Sequence, residues 1–352
     1  MAKQPKQPKV TIGVILFKSE GYLPFSIPSL LDQDYPNIEF LLRDQSPNME
    51  ALKSIHENMP EVLTKVKTET GPNLWHSGGH NTLIRKMKGD YYFCCSNDML
   101  YPSDFVSKIV AVMEAKENKR FGSATCKLMK WDFDQAQRGE IEASKTNTID
   151  SCGIGLTKSH QFFDIGQGEE NHIPYSIHKE IFGPSGALAV YRKKALEDIA
   201  YKNEKGEKEY FDELLHYKND VDLSYRLQWA GYPSLFIPEV RVYHDRQVGA
   251  KINLQMAIAK IRDHSKKSKW VRGNSLFGHL ITLQKNFTKD YSPEVRFKTW
   301  LGKITRFFHT LLFDPELLEQ YSLVKKFRKE INSKRKAIAR KKAVREIEKL
   351  MT

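Results

Sequence analysis

The sequence predicts an α/β fold: a mixed, mostly parallel sheet flanked by helices on both faces, followed by a helical, basic extension. Three observations predict it. Short apolar, β-prone runs alternate with helical patterns from residue 10 onward, as βαβ units require. Those runs break abruptly into polar residues at their ends. The charge also divides sharply: residues 1–250 hold 31 Lys/Arg against 34 Asp/Glu, whereas residues 251–352 hold 25 against 9. A nearly neutral body over 10–250 is therefore expected to carry a cationic extension over 251–352. Residues 1–9 read as a disordered, Pro-rich lead-in with no apolar signal-peptide core.

The elements follow in order. "VTIGVILF" (10–17) is the first strand, and a helix is expected over Leu23–Gln33. "IEFLLRD" (38–44) is the second strand, followed by a helix near Met49–Asn58. "LTKVKTE" (63–69) reads as a third strand, with a helix starting near Asn81. The strand Tyr91–Cys95 comes next, and "PSD" (102–104) opens another helix. Over 150–192 the pattern changes to short antiparallel strands, "SCGIGLT" and "QFFDIG", then a Gly-interrupted strand in "FGPSGALAVYR". The helix "DVDLSYRLQWAG" (220–231) ends at a Gly231 cap, and "PSLFIPEVRVYHD" (233–245) closes the body with strand. A 40% hydrophobic content is ample for a core, and no apolar stretch reaches the ~18 residues of a spanning helix. The four cysteines show no CxxC spacing, so reduced, buried thiols are expected.

Ligands of open α/β sheets bind beyond the carboxyl ends of the strands. Lys18, Asp44 and Asp98 stand at three such ends and imply a shared crevice. Asp98 closes the break in "YYFCCSNDMLYP", where a buried strand gives way to Ser96, Asn97 and an acid. His244 ends a later strand, and with Asp98 it offers the oxygen and imidazole donors that Mn²⁺ accepts, Mg²⁺ preferring oxygen. Asp220 and Asp222 sit at i and i+2 near a helix start, so they cannot share one face. "GPNLWHSGGHN" (71–81) carries Gly78 and Gly79 where close backbone approach to an anion is expected, without the GK[ST] of a Walker loop.

Together these segments resemble an inverting glycosyltransferase of family 2 with the GT-A fold, most similar to its rhamnosyltransferase-like branch, over roughly residues 10–246. "FDELLHYKNDVDLSYRLQWAGY" (211–232) with "VYHD", "NLWHSGGHN", "GPSGALAVYRKKAL" and "SND" carry the resemblance. It implies that Asp44 contacts the nucleobase or ribose, and that Asn97 and Asp98 end the DXD-like motif. Asp98 and His244 would hold Mn²⁺ or Mg²⁺, and Asp220 would be the catalytic base. Asn73, Gly78, Gly79 and Asn81 would line the donor pocket, with Gly186, Asp222 and Trp229 on the acceptor side. Two positions depart from the family pattern: Ser96 stands for the first acid of DXD, and Asn219 for the Glu before Asp220. They raise a second reading, a family member that binds sugar nucleotides without turnover.

The implied partners are a UDP-, dTDP- or GDP-sugar and a glycan or lipid-linked glycan acceptor. Residues 321–352, basic and helical in pattern, are expected on an anionic membrane surface, and 270–320 either there or packed on the body. A cytoplasmic protein, peripheral on the inner membrane face, is therefore expected. No nucleic-acid-binding motif accompanies the basic tail.

Overall fold

The computed structural model describes residues 7–246 and 268–352. Most of the expected lead-in, and the boundary placed at residues 250 and 251, lie outside the described residues. Eight strands form the spine of the sheet: β1 (Val10–Leu16), β2 (Ile38–Asp44), β3 (Lys67–Thr70), β4 (Tyr91–Cys95), β5 (Ser123–Trp131), β6 (Lys179–Ile181), β7 (Leu188–Arg192) and β8 (Ser234–His244). Their spatial order is β6-β8-β5-β7-β4-β1-β2-β3. β1 pairs in parallel with β2 and β4, β2 with β3, and β5 with β8. β7 runs antiparallel between β4 and β5, which makes the sheet mixed.

Helices that cover it include α1 (Leu23–Leu31), α2 (Glu50–Asn58), α3 (Trp75–Lys86) and α4 (Phe105–Glu114), with α5 (Asn219–Ala230) packed later in the chain. Alternate residues of the strands enter two cores. Val10, Ile12, Val14, Phe93 and Cys95 pack in one with α1, α2 and α4 residues, while Tyr92, Cys94, Ala189 and Tyr191 meet α3 and α5 in the other. The four cysteines are free and buried, as expected.

α3 begins at Trp75, so Gly78 and Gly79 lie inside a helix rather than in a loop before one. The reason is steric. A Cβ on Gly79 would stand 2.6 Å from Ile15 Cδ1, and one on Gly78 2.8 Å from Leu74 Cβ. The glycines weaken the helix by up to about 1 kcal/mol each; Gly79 lets it seat closely on β1, and Gly78 leaves room for the Leu74 side chain at its start.

The register of β8 on β5 shifts between Ile237 and Arg241, around Pro238, which lacks the N–H a ladder needs. Beyond that irregularity β8 runs on to His244, which pairs with Met99 of the short strand Met99–Leu100. The chain thereby sets His244 beside Asp98.

The C-terminal layer comprises α6 (Lys269–Asn286), α7 (Pro293–Phe313) and α8 (Arg328–Ala337), with shorter helical turns. Part of 321–352, the segment expected on a membrane, packs on the body. Ile331 and Ile347 are fully buried, and Met351 bridges to Leu156. The Lys334 ammonium is 2.8 Å from Glu209 and 2.7 Å from Asp212, and Lys285 of α6 is 2.5 Å from Asp212 and 2.7 Å from Asp222. These basic residues have acidic partners more than 60 positions away, so their charge is matched in the interior. Among the described residues no helix is long and apolar enough to cross a membrane.

Candidate active site

Beyond the carboxyl ends of β4 and β8 lies a cleft of about 520 Å³, which shares residues with a second hollow of about 250 Å³ beyond the ends of β1, β2 and β4. Both share His76, Ser96 and Asp98. The larger chamber adds Ser185, Gly186, Lys218, Asp220, His244 and Arg246, whereas the smaller adds Phe17, Gln45, Asn73, Trp75 and Asn97.

At one end Asp98 Oδ2 lies 3.5 Å from His244 Nε2, and Asp98 Oδ1 is buried without a hydrogen-bond partner among the described residues. His244 Nδ1 is 2.8 Å from Asp150 Oδ2, and Asp150 in turn pairs with Arg246 at 2.7 Å. Arg246 also reaches Asp164 at 2.8 Å. Burial alone would lower the His244 pKa, but hydrogen bonds to Asp150 and Asp98 outweigh it and raise it to about 9. Burial likewise opposes ionisation of Asp150, and His244 and Arg246 overcome it, holding that carboxyl below its ordinary range.

The unpartnered oxygen of Asp98 and an imidazole backed by a carboxylate are donors that suit a divalent cation such as Mn²⁺. Loading the cation there requires the proton on His244 to leave.

At the other end Asp220 sits in the first turn of α5. Its Oδ2 accepts the Gly186 N–H at 3.0 Å and its Oδ1 the Val221 N–H at 2.8 Å. A Cβ on Gly186 would meet Asp220 Oδ2 at 3.0 Å, so a glycine gives the carboxylate room. Asp222 takes the opposite course. It is fully buried, 3.0 Å from Arg226 Nε and 2.7 Å from Lys285 Nζ. Expected on the acceptor side, it lies outside the cleft lining, where it fastens α5 to α6.

Five other expected residues, Asp44, Gly78, Gly79, Asn81 and Trp229, also lie away from the cleft lining. Trp229 is buried, with Arg340 4.6 Å above its ring and its carbonyl accepting the Lys341 and Lys342 N–H groups. It anchors the C-terminal layer rather than facing an acceptor. Asn81 is buried, accepting the Tyr210 and Phe211 N–H groups and donating to the Phe211 carbonyl. It positions the segment that leads into α5. Asp44 is buried with both oxygens engaged, by the Ser46 N–H at 2.7 Å and the Leu52 N–H at 2.8 Å. Its neighbour Gln45 lines the smaller hollow instead. Gly78 and Gly79 shape α3, Asn73 caps Trp75 N–H at 2.8 Å on the rim, and Asn97 ties its strand end to the Ile15 carbonyl at 2.6 Å.

Sequence reasoning passed over a third cluster. His76 and His80 lie one turn apart on α3 and face Cys94 of β4, their ligand atoms all within 4.8 Å. Cys94 Sγ is 3.2 Å from His80 Nε2 and 3.8 Å from His76 Nε2. The far ring nitrogens are held by Tyr92 Oη at 2.7 Å and Asn219 Nδ2 at 3.0 Å. Burial lowers both imidazoles and raises the thiol, so the trio is neutral as it stands. The spacing in "HSGGH" was the available signal, two histidines at i and i+4.

The description "Glycosyl transferase family 2" matches residues 11–200, more than half of the chain. The chain belongs to glycosyl transferase family 2. Among solved structures this family 2 chain is similar to GalNAc-T7, solved with UDP, GalNAc and Mn²⁺, at 12% identity and TM-score 0.58. That match covers 94% of this chain and 55% of the other, so the chain spans about half the length of GalNAc-T7 in that structure. The mannosyltransferase PcManGT from Pyrobaculum calidifontis, in complex with GDP-Man and Mn²⁺, matches at 15% identity and TM-score 0.48, covering 96% and 89% of the two chains. No curated protein matches significantly. The fold is that of the GT-A glycosyltransferases, with a C-terminal helical extension.

Proposed function

We propose that this family 2 protein transfers a sugar, with inversion, from a nucleoside-diphosphate donor to a hydroxyl of a glycan or lipid-linked glycan. The observation that carries the reading is the convergence of two unlike acids on one cleft, Asp98 with an unpartnered oxygen and Asp220 held by backbone amides. Asp98 and His244 would hold Mn²⁺ or Mg²⁺, which neutralises the charge growing on the leaving diphosphate. Gln45, Asn73 and Trp75, around the smaller hollow, would receive the nucleoside. Asp220 would accept the proton of the attacking hydroxyl, and the Gly186 N–H would keep its carboxylate aimed into the cleft. The aromatic wall of Phe162, Phe163 and Tyr217 would shelter the sugar from water.

The deoxyhexosyl donor of the rhamnosyltransferase-like branch is the first to try. Thermal shift of the purified protein with UDP-, dTDP- and GDP-sugars, with and without Mn²⁺, tests the donor. A metal-dependent rise in melting temperature for one nucleotide class supports the reading, and no response to any class contradicts it. Ser96 and Asn219 favour one alternative, a binder without turnover. That alternative holds if a donor binds and no sugar reaches any hydroxyl or water.

A further inference from the structure

α7 is built inside out. The line of residues it turns toward the body is small or polar: Thr299, Gly302, Arg306 and Thr310 follow Val295. Thr299 Oγ1 bonds His160 Nδ1 at 2.8 Å, Arg306 donates to Gln161, and Gly302 faces the Ser159 carbonyl. Phe297, Trp300, Leu301, Ile304, Phe308, Leu311 and Leu312 form the opposite line, at the three- and four-residue spacing of one helix face. Phe297 is 61% exposed, Trp300 57%, Phe308 53% and Leu312 69%. Scattered exposed apolar residues are ordinary, but a continuous stripe along a helix of this length marks a surface that binds something.

The borders of the stripe say what. At about 100° per residue, Arg296 and Lys303 fall along one edge and Lys298 along the other, all exposed. Glu294, the acid of this helix, lies in its first turn and pairs with Lys298 and Lys158. An apolar stripe edged by cations is the pattern of a helix lying in a membrane interface, with the rings in the acyl boundary and the long basic side chains reaching up to phosphates. A second copy of this chain fits poorly. A two-fold pairing of the stripe would bring the same cationic edges together.

We propose that α7 is the surface by which the protein lies on an anionic lipid bilayer. α7 lies within 270–320, for which a membrane surface and packing on the body were both expected. The proposal is independent of the sugar-transfer reading. The segment under α7, Ser159–Gln161, continues into Phe162 and Phe163 of the cleft wall, so the membrane surface and the cleft adjoin along the chain.

Co-sedimentation of the full chain tests it, with vesicles of phosphatidylcholine alone and of phosphatidylcholine mixed with phosphatidylglycerol. Wild type should sediment with the mixed vesicles, much less with the neutral ones, and less as salt rises. A Trp300→Ser, Phe308→Ser, Leu312→Ser triple variant should keep its melting temperature and bind at least about tenfold more weakly. Arg296→Glu with Lys303→Glu should abolish the preference for the anionic lipid. Three results overturn the proposal: no vesicle binding by wild type, equal binding by the triple variant, or a wild-type dimer in light scattering that the triple variant converts to monomer.

Discussion

Two regions of this molecule gather acids, and they treat them in opposite ways. In the cleft, Asp98 and Asp220 are partly exposed, and Asp98 keeps one oxygen without a hydrogen-bond partner. Under the C-terminal layer, Asp212 and Asp222 are fully buried and enclosed by Lys285, Lys334 and Arg226. Asp220 and Asp222 are two residues apart on one helix, yet they belong to different regions. The comparison teaches that an acidic motif is not a site: the acid left open to a ligand is separated from the acid spent on holding the fold by its partners, not by its neighbours in sequence.

The largest effect on stability belongs to the closed region. Lys285→Met leaves two buried carboxylates without their shared cation and should cost about 3–5 kcal/mol in denaturant unfolding. A loss below about 1 kcal/mol would mean the network is solvated and the contrast is false. Next comes the seam between body and layer, where His160 meets Thr299. Burial, helped by Lys303, lowers the His160 pKa from 6.5 to about 4, so the unfolded chain binds that proton first. Stability from this group is full above pH about 6.5 and falls by up to about 3 kcal/mol as the pH drops toward 4. Burial holds His279 low as well, and it acts in the same sense. His160→Gln should flatten part of the acid slope in urea melts across that window; an unchanged slope would remove His160 from the account.

Smaller effects belong to the open region. Asp98→Ala should weaken Mn²⁺-dependent nucleotide binding about 10–100-fold by calorimetry, and Asp150→Ala should act in the same direction by freeing the His244 ring. Metal dependence surviving Asp98→Ala intact would shift attention to His76, His80 and Cys94. The smallest effect is expected at Phe308, on the outer face of α7. Phe308→Ser should change stability by no more than about 0.5 kcal/mol, since more than half of its surface is open and its ring contact is with Phe307 of the same helix.

The parallel strands were legible because Val10–Leu16, Ile38–Asp44 and Tyr91–Cys95 are apolar, β-prone runs that end in polar residues. The start of α3 was not, because the local preference of Gly78 and Gly79 points to a turn, and only the closeness of Ile15 to Gly79 and of Leu74 to Gly78 shows why glycine stands there. The i, i+2 spacing showed that Asp220 and Asp222 must diverge. Which one faces the cleft depends on Lys285, more than 60 residues later, and no local pattern carries that. Asp150 lay unnoticed in a polar run, although it holds the ring of His244. The packing of Lys334 was not legible, because its acidic partners Glu209 and Asp212 lie more than 100 residues earlier.

The most direct measurement compares Asp220→Asn with wild type in two assays on one preparation, sugar transfer and donor binding with Mn²⁺. Transfer should fall about 10²–10⁴-fold while the donor binds as before, since the amide keeps the shape and loses the base. Transfer within a few-fold of wild type, or loss of donor binding in step with it, would contradict the assignment of the open acid to catalysis.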